Sequence, residues 1–143
     1  MFTSPYARRS TAAQSFGDLY QQVGIESQLD GATPHHLVAM LFEGFMEALA
    51  QARGAMRERQ FELKGRAIRR ATSIVEEGLR GGLDLRAGGT LARDLDALYL
   101  YLCQRLTLAN LHNDESALDE CQRLMRPLQD AWREIGSRPA ARA

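Results

Sequence analysis

Apolar residues recur along this chain at alternating spacings of three and four, as in helices that each turn one stripe inward. Thr33 can cap a helix, and Pro34 suits its first position, where a missing N–H costs nothing. From there to about Arg59, Val38, Phe42, Phe45, Leu49, Ala52 and Met56 fall on one heptad row. A second long helix is predicted over about Phe61 to Leu83, with Ile68, Ala71, Val75 and Leu79 aligned; Gly81-Gly82 and residues 84–89 form the turn after it. A third opens at Gly89 or Thr90, carries Leu91, Leu95, Leu98, Leu102 and Leu106 as its core row, and breaks at Asn113-Asp114. The last places Leu118, Cys121, Met125, Leu128, Trp132 and Ile135 on one stripe and stops at Gly136. Pro127 lies inside it and removes one backbone hydrogen bond, which predicts a bend near Arg123. A shorter helix is predicted over about Gly17 to Leu29, ended by Asp30-Gly31. Nowhere do β-branched residues alternate as in a strand. The pattern predicts an all-α fold, an antiparallel up-down four-helix bundle with a short N-terminal cap helix lying across it. Residues 1–16 read as a flexible arm, 17–136 as one helical-bundle domain and 137–143 as a flexible tail.

Two helices carry more apolar surface than a bundle core needs. A bundle helix turns about three positions in seven inward. In the third long helix, Leu98-Tyr99-Leu100-Tyr101-Leu102-Cys103 covers every direction around the axis, and Leu108 and Leu111 extend the excess. The first long helix adds Leu37, Met40, Leu41 and Met46 beside its heptad row, with Gly44, Ala48 and Ala52 small enough for another helix to approach closely. Either both helices are central and surrounded by their own neighbours, or the surplus forms a groove for a partner helix or a second copy of the chain. For the groove, the candidate residues are Leu41, Phe45, Tyr99, Leu102 and Leu106. Tyr20 and Ile25 are placed to cover one end of it when empty, and Asn110 and Asn113 to hydrogen-bond a partner backbone.

Composition narrows what such a bundle can do. The chain has 143 residues, enough for one core, with 18 Lys and Arg against 18 Asp and Glu. A neutral chain with scattered arginines lacks the electrostatic footprint of a nucleic-acid binder. Arg8-Arg9 is too little to anchor a membrane surface and is followed by Ser-Thr-Ala-Ala-Gln-Ser, not by a signal-peptide apolar stretch. The longest apolar run, Leu98 to Cys103, cannot span a bilayer. Cys103 and Cys121 sit in apolar rows and read as small buried hydrophobes in a reducing compartment, so the expected location is the cytoplasm.

No set of side chains suits catalysis. His35, His36 and His112 lack a Glu three residues earlier, as a di-iron bundle would require. Neighbouring His35 and His36 point roughly 100° apart on a helix and do not share a metal. Lys64-Gly65 matches part of the phosphotransfer pattern H-x-x-K-G, but Phe61 stands at the histidine. Gly81-Gly82 and Gly88-Gly89 lack the Lys-Ser/Thr of a phosphate loop. The expectation is a non-enzyme that needs no cofactor or metal.

Leu19-Tyr20, Ile25-Glu26-Ser27 and Ala32-Thr33-Pro34-His35-His36-Leu37-Val38 begin an ordered series of motifs. Met40-Leu41-Phe42-Glu43-Gly44 follows, then Lys64-Gly65 with Ile68, Ala71 and Ile74. The series runs on through Gly82-Leu83-Asp84, Gly88-Gly89, Leu95, Leu98-Tyr99, Tyr101, Arg105-Leu106 and Ala109-Asn110, and closes on Ala131-Trp132. Over about residues 19 to 135 this resembles the FliS family of flagellar secretion chaperones, which bind flagellin. The resemblance implies a four-helix bundle with an N-terminal cap. It implies that the disordered C-terminal segment of flagellin wraps the bundle as helices and is kept from polymerising. It further implies handover to the flagellar type III export gate, with the N-terminal aromatic segment, here Tyr20, taking part. Leu100 departs from the family, which usually has Asp there; Pro127 departs in a helix normally uninterrupted; and the first 18 residues are longer than usual. The alternative is a self-associating helical bundle, a homodimer with no flagellin client.

Overall fold

The computed structural model describes residues 16–20 and 33–137. Helix α1 spans Pro34–Arg57, α2 spans Phe61–Ser73, α3 spans Gly89–His112 and α4 spans Glu115–Gly136. Thr33 Oγ1 accepts from the His36 N–H at 3.0 Å with Pro34 at the helix start, so α1 begins where its cap and proline direct. Asn113, left-handed at φ 50°, ends α3, and Asp114 caps α4 through the Ser116 N–H at 3.0 Å. That hydrogen bonding, the Ser116 hydroxyl foremost, holds the Asp114 carboxyl below its ordinary range.

The second predicted helix changes register part-way. Beyond Ser73 the backbone widens into a π-helix over Ile74–Arg80. Val75 and Leu79 still face inward, so the widened turn preserves the core row while altering what lies beside it. A π turn has no residue signature, which is why the apolar row could not announce it.

Antiparallel order follows from which ends meet. His35 at the start of α1 touches Trp132 near the end of α4, whereas Arg57 at the end of α1 pairs with Glu115 at the start of α4 at 2.8 Å. Arg80 at the end of the π segment pairs with Asp96 in early α3 at 2.7 Å, and Lys64 in early α2 reaches Asn110 in late α3. Each helix thus flanks two others, and the bundle is four-helical as the pattern predicted. Surface ion pairs such as Arg53–Asp119 and Arg105–Glu120 fix register and contribute little energy each.

The core contains Val38, Phe42, Phe45, Leu49, Ile68, Val75, Leu79, Leu95, Tyr99, Leu102, Leu106, Leu118, Met125 and Trp132. Along α3 the inward row runs through Tyr99 in place of Leu98, which is only partly buried. Gly44, Ala48 and Ala52 are buried, and a Cβ on Gly44 would sit 3.2 Å from Ile74. The close approach that Gly44 permits is therefore made by the chain's own π segment. Pro127 lies on the exposed side of α4, which runs on through it to Gly136.

Of the predicted helix over Gly17 to Leu29, the described residues show helix at 16–18 and a turn at Leu19 and Tyr20. The rest of that prediction, Ile25 included, lies outside the described residues, as do residues 1–15 and 138–143. Phe16, read from the sequence with the arm, is 7% exposed and belongs to the core.

Candidate partner-binding surface

One end of the bundle is closed by side chains from before α1. Tyr20 is completely buried. Its hydroxyl donates its single proton to the Leu79 carbonyl at 2.6 Å, and the Tyr99 hydroxyl lies 3.0 Å away. Burial and the neighbouring phenol raise Tyr20 well above the ordinary phenol range, and burial pushes Tyr99 up to about 12. Both therefore stay neutral donors. Phe16 and Tyr20 meet Trp132 edge-on, with ring centroids 5.0 and 5.6 Å from it. The Asp84 N–H donates to the Leu19 carbonyl at 3.2 Å. A Cβ on Gly88 would come within 2.3 Å of Leu19, so only glycine leaves that seat open. Residues 16–20 form a cap held by one backbone hydrogen bond, one buried phenol and two aromatic edges on Trp132.

Beside this end, α1 and the π segment border an open groove of about 640 Å³. Leu37, Met40, Leu41, Ile74 and Gly78 supply its apolar lining, with Arg70 and Glu77 at the edges. On α3, Leu100, Tyr101, Leu108 and Leu111 point outward, and Leu111 is 70% exposed. Their spacing puts them on one side of the helix, opposite Leu102 and Leu106. The Tyr101 hydroxyl is tied to Glu120 at 2.5 Å, so its ring is held in place on that face. The same bonds hold the Glu120 carboxyl below its usual range.

The far end is closed from within the bundle. Lys64 is buried and its Nζ donates to the Asn110 carbonyl at 2.9 Å and to Asn113 Oδ1, over the Phe61 ring. Those acceptors are the C-terminal carbonyl region of α3, where a cation is favoured. Neither cysteine is poised for chemistry: burial pushes Cys103 up to about 11 and Cys121 up to about 12, suppressing the reactive thiolate.

A comparison with known families agrees with this architecture. The sequence profile described as flagellar protein FliS matches residues 16–139. The chain belongs to the FliS family. The flagellar secretion chaperone FliSB of Pseudomonas aeruginosa is 48% identical over 113 residues, covering 79% of this chain and 89% of that protein. The flagellar secretion chaperone FliS of Escherichia coli is 41% identical over 129 residues, 90% of each chain. That of Salmonella typhimurium is 40% identical over 116 residues, 81% of this chain and 86% of its own length. The family is one of chaperones, and no helix among the described residues is long and apolar enough to cross a membrane.

Within this FliS bundle the residues singled out from the sequence separate into groups. Leu41 lines the open groove. Tyr20 is the cap and Tyr99 lies directly beneath it. Phe45 on α1 and Leu102 and Leu106 on α3 have no exposed surface and belong to the core, not to the open groove. Asn113 is engaged by Lys64 through its side chain and Asn110 through its carbonyl. Ile25 lies outside the described residues. Leu100, where the resemblance led to an expectation of Asp, is 38% exposed and so adds apolar surface without entering the core.

Sequence reasoning passed over Lys64, His35 and Trp132 as members of closed ends. A signal was present: Lys64 precedes Ile68 by four residues and Ala71 by seven, and His35 precedes Val38 by three, so both polar residues lie on apolar core rows. A polar residue on such a row needs a buried partner.

Proposed function

We propose that this chain is a cytoplasmic type III export chaperone that binds the disordered C-terminal segment of flagellin, prevents its premature polymerisation and delivers it to the flagellar export gate. The observation that carries this reading is the apolar surface left outside a fully packed bundle: the outward face of α3 and the groove lined by Met40, Leu41 and Ile74. A client that folds on binding must bury enough apolar surface to offset its own ordering, which a long wrapped path provides. Tyr20, with Ile25 beyond it, serves as the cover of one end. Its departure uncovers Tyr99 and the Trp132 edge for the client and frees Tyr20 for the export gate. Phe45, Leu102 and Leu106 hold the presenting helices in register, and Asn110 and Asn113 offer hydrogen bonds at the far end. Relatives bearing the name flagellar secretion chaperone support the reading.

Size-exclusion chromatography and calorimetry with a flagellin C-terminal peptide test it. A one-to-one complex is expected, and Tyr20→Ala should bind about tenfold more tightly, because a cover that must leave reduces apparent affinity by the open fraction. A stable homodimer that persists while the peptide never binds would establish the self-associating alternative instead.

A further inference from the structure

His35 and Trp132 form a closed pair that joins the start of α1 to the end of α4. The Trp132 Nε1–H donates to the His35 carbonyl at 2.9 Å. His35 Nε2 lies 2.7 Å from the Trp132 carbonyl; a carbonyl only accepts, so the ring carries its proton on Nε2. The two rings stack with centroids 5.0 Å apart and planes within 6°. Gly136 makes the room: a Cβ there would fall 2.1 Å from His35 Cε1. Trp132 is thereby fixed in position and orientation, and it is the plate on which Phe16 and Tyr20 both rest edge-on.

We propose that His35 is a positioning residue for the cap: by locking Trp132 it sets how often residues 16–20 lift away, and so sets the affinity for the client. His35 touches neither Phe16 nor Tyr20 in any ring contact of the structure; it acts through Trp132. Losing the ring removes one hydrogen bond and one stacked pair, which shifts the open population about tenfold. The client half of this inference rests on the function proposed above; the cap half does not.

A backbone reporter separates the two. The Asp84 amide is bonded to the Leu19 carbonyl and loses that bond only when the cap leaves. Hydrogen exchange is followed by NMR on the full chain for His35→Ala and for Gly136→Ala, which evicts the same ring while retaining it in the sequence. Both should lower protection at Asp84 about tenfold while amides of Phe45 and Leu102 keep theirs, and His35→Gln, which can still donate to the Trp132 carbonyl, should recover part of the loss. In a Tyr20→Ala background, His35→Ala should add nothing. Flagellin-peptide affinity should rise by the same factor as Asp84 protection falls. Unchanged Asp84 protection in both variants, or equal loss at all amides, overturns the inference. Opening at Asp84 with no peptide binding in any variant leaves the latch standing and refutes the flagellin reading alone.

Discussion

The two ends of this bundle solve one problem, burying polar groups, with parts of different permanence. At the far end, Lys64 comes from early α2 and bonds late α3, so its partners cannot separate unless the helices do. At the capped end, the Leu79 carbonyl and the Tyr99 hydroxyl are met by Tyr20, from a stretch outside the four helices. One end is a permanent fastening and the other a detachable cover. A polar bond that depends on a detachable segment can be exchanged for a client without dismantling the core.

The largest contrast should come from Lys64. Lys64→Met keeps the apolar stem but leaves the Asn110 carbonyl and Asn113 side chain without their buried cation, costing about 2–4 kcal/mol of global stability by urea unfolding. Any change in peptide affinity should be confined to the hydrogen bonds that Asn110 and Asn113 offer at that end. A loss below about 0.5 kcal/mol would erase the distinction between the ends.

Alkaline pH should act next, through the buried phenols of the capped end together with the two buried thiols. Tyr99 has an ordinary value of 10.0 raised to about 12, so its contribution is complete below pH 10 and lost as pH climbs through 12. By linkage that is about 3 kcal/mol at the upper limit. Tyr20 is raised in the same direction, and the thiols, starting from 9.0, are lost as pH climbs through about 11 for Cys103 and about 12 for Cys121. Stability should be level up to pH 9 and fall steadily above it, with tyrosinate absorbance appearing late. Phenols that all titrate together near 10 would contradict the buried cover.

The smallest effect on stability should accompany substitutions on the outer face of α3. Leu108→Glu with Leu111→Glu changes exposed positions, so unfolding should shift by less than about 0.5 kcal/mol. Flagellin-peptide affinity should fall at least tenfold, measured by calorimetry. Unaltered affinity would move the client path off this face and onto the α1 groove.

The rows of apolar residues and the local signals beside them were enough to place all four long helices, the cap at Thr33 and the break at Asn113-Asp114, because helix periodicity and capping are local properties. The ordered motifs likewise carried the family. Within α3 the row placed Leu95, Leu102 and Leu106 inward, but Leu98 to Cys103 is apolar in every direction, and hydrophobicity there could not separate Tyr99 from Leu98. Packing alone decided that Tyr99 turns inward in place of Leu98, and Leu100 and Tyr101 outward. The same limit applies to Phe16, the π turn at Ile74–Arg80 and the His35–Trp132 pair, which joins residues 97 apart in the chain. Local chemistry fixes where a helix begins, ends and is apolar; which apolar side meets a neighbour, and which polar atom finds a buried partner, is set by chain segments distant in sequence, and only the assembled bundle brings them together.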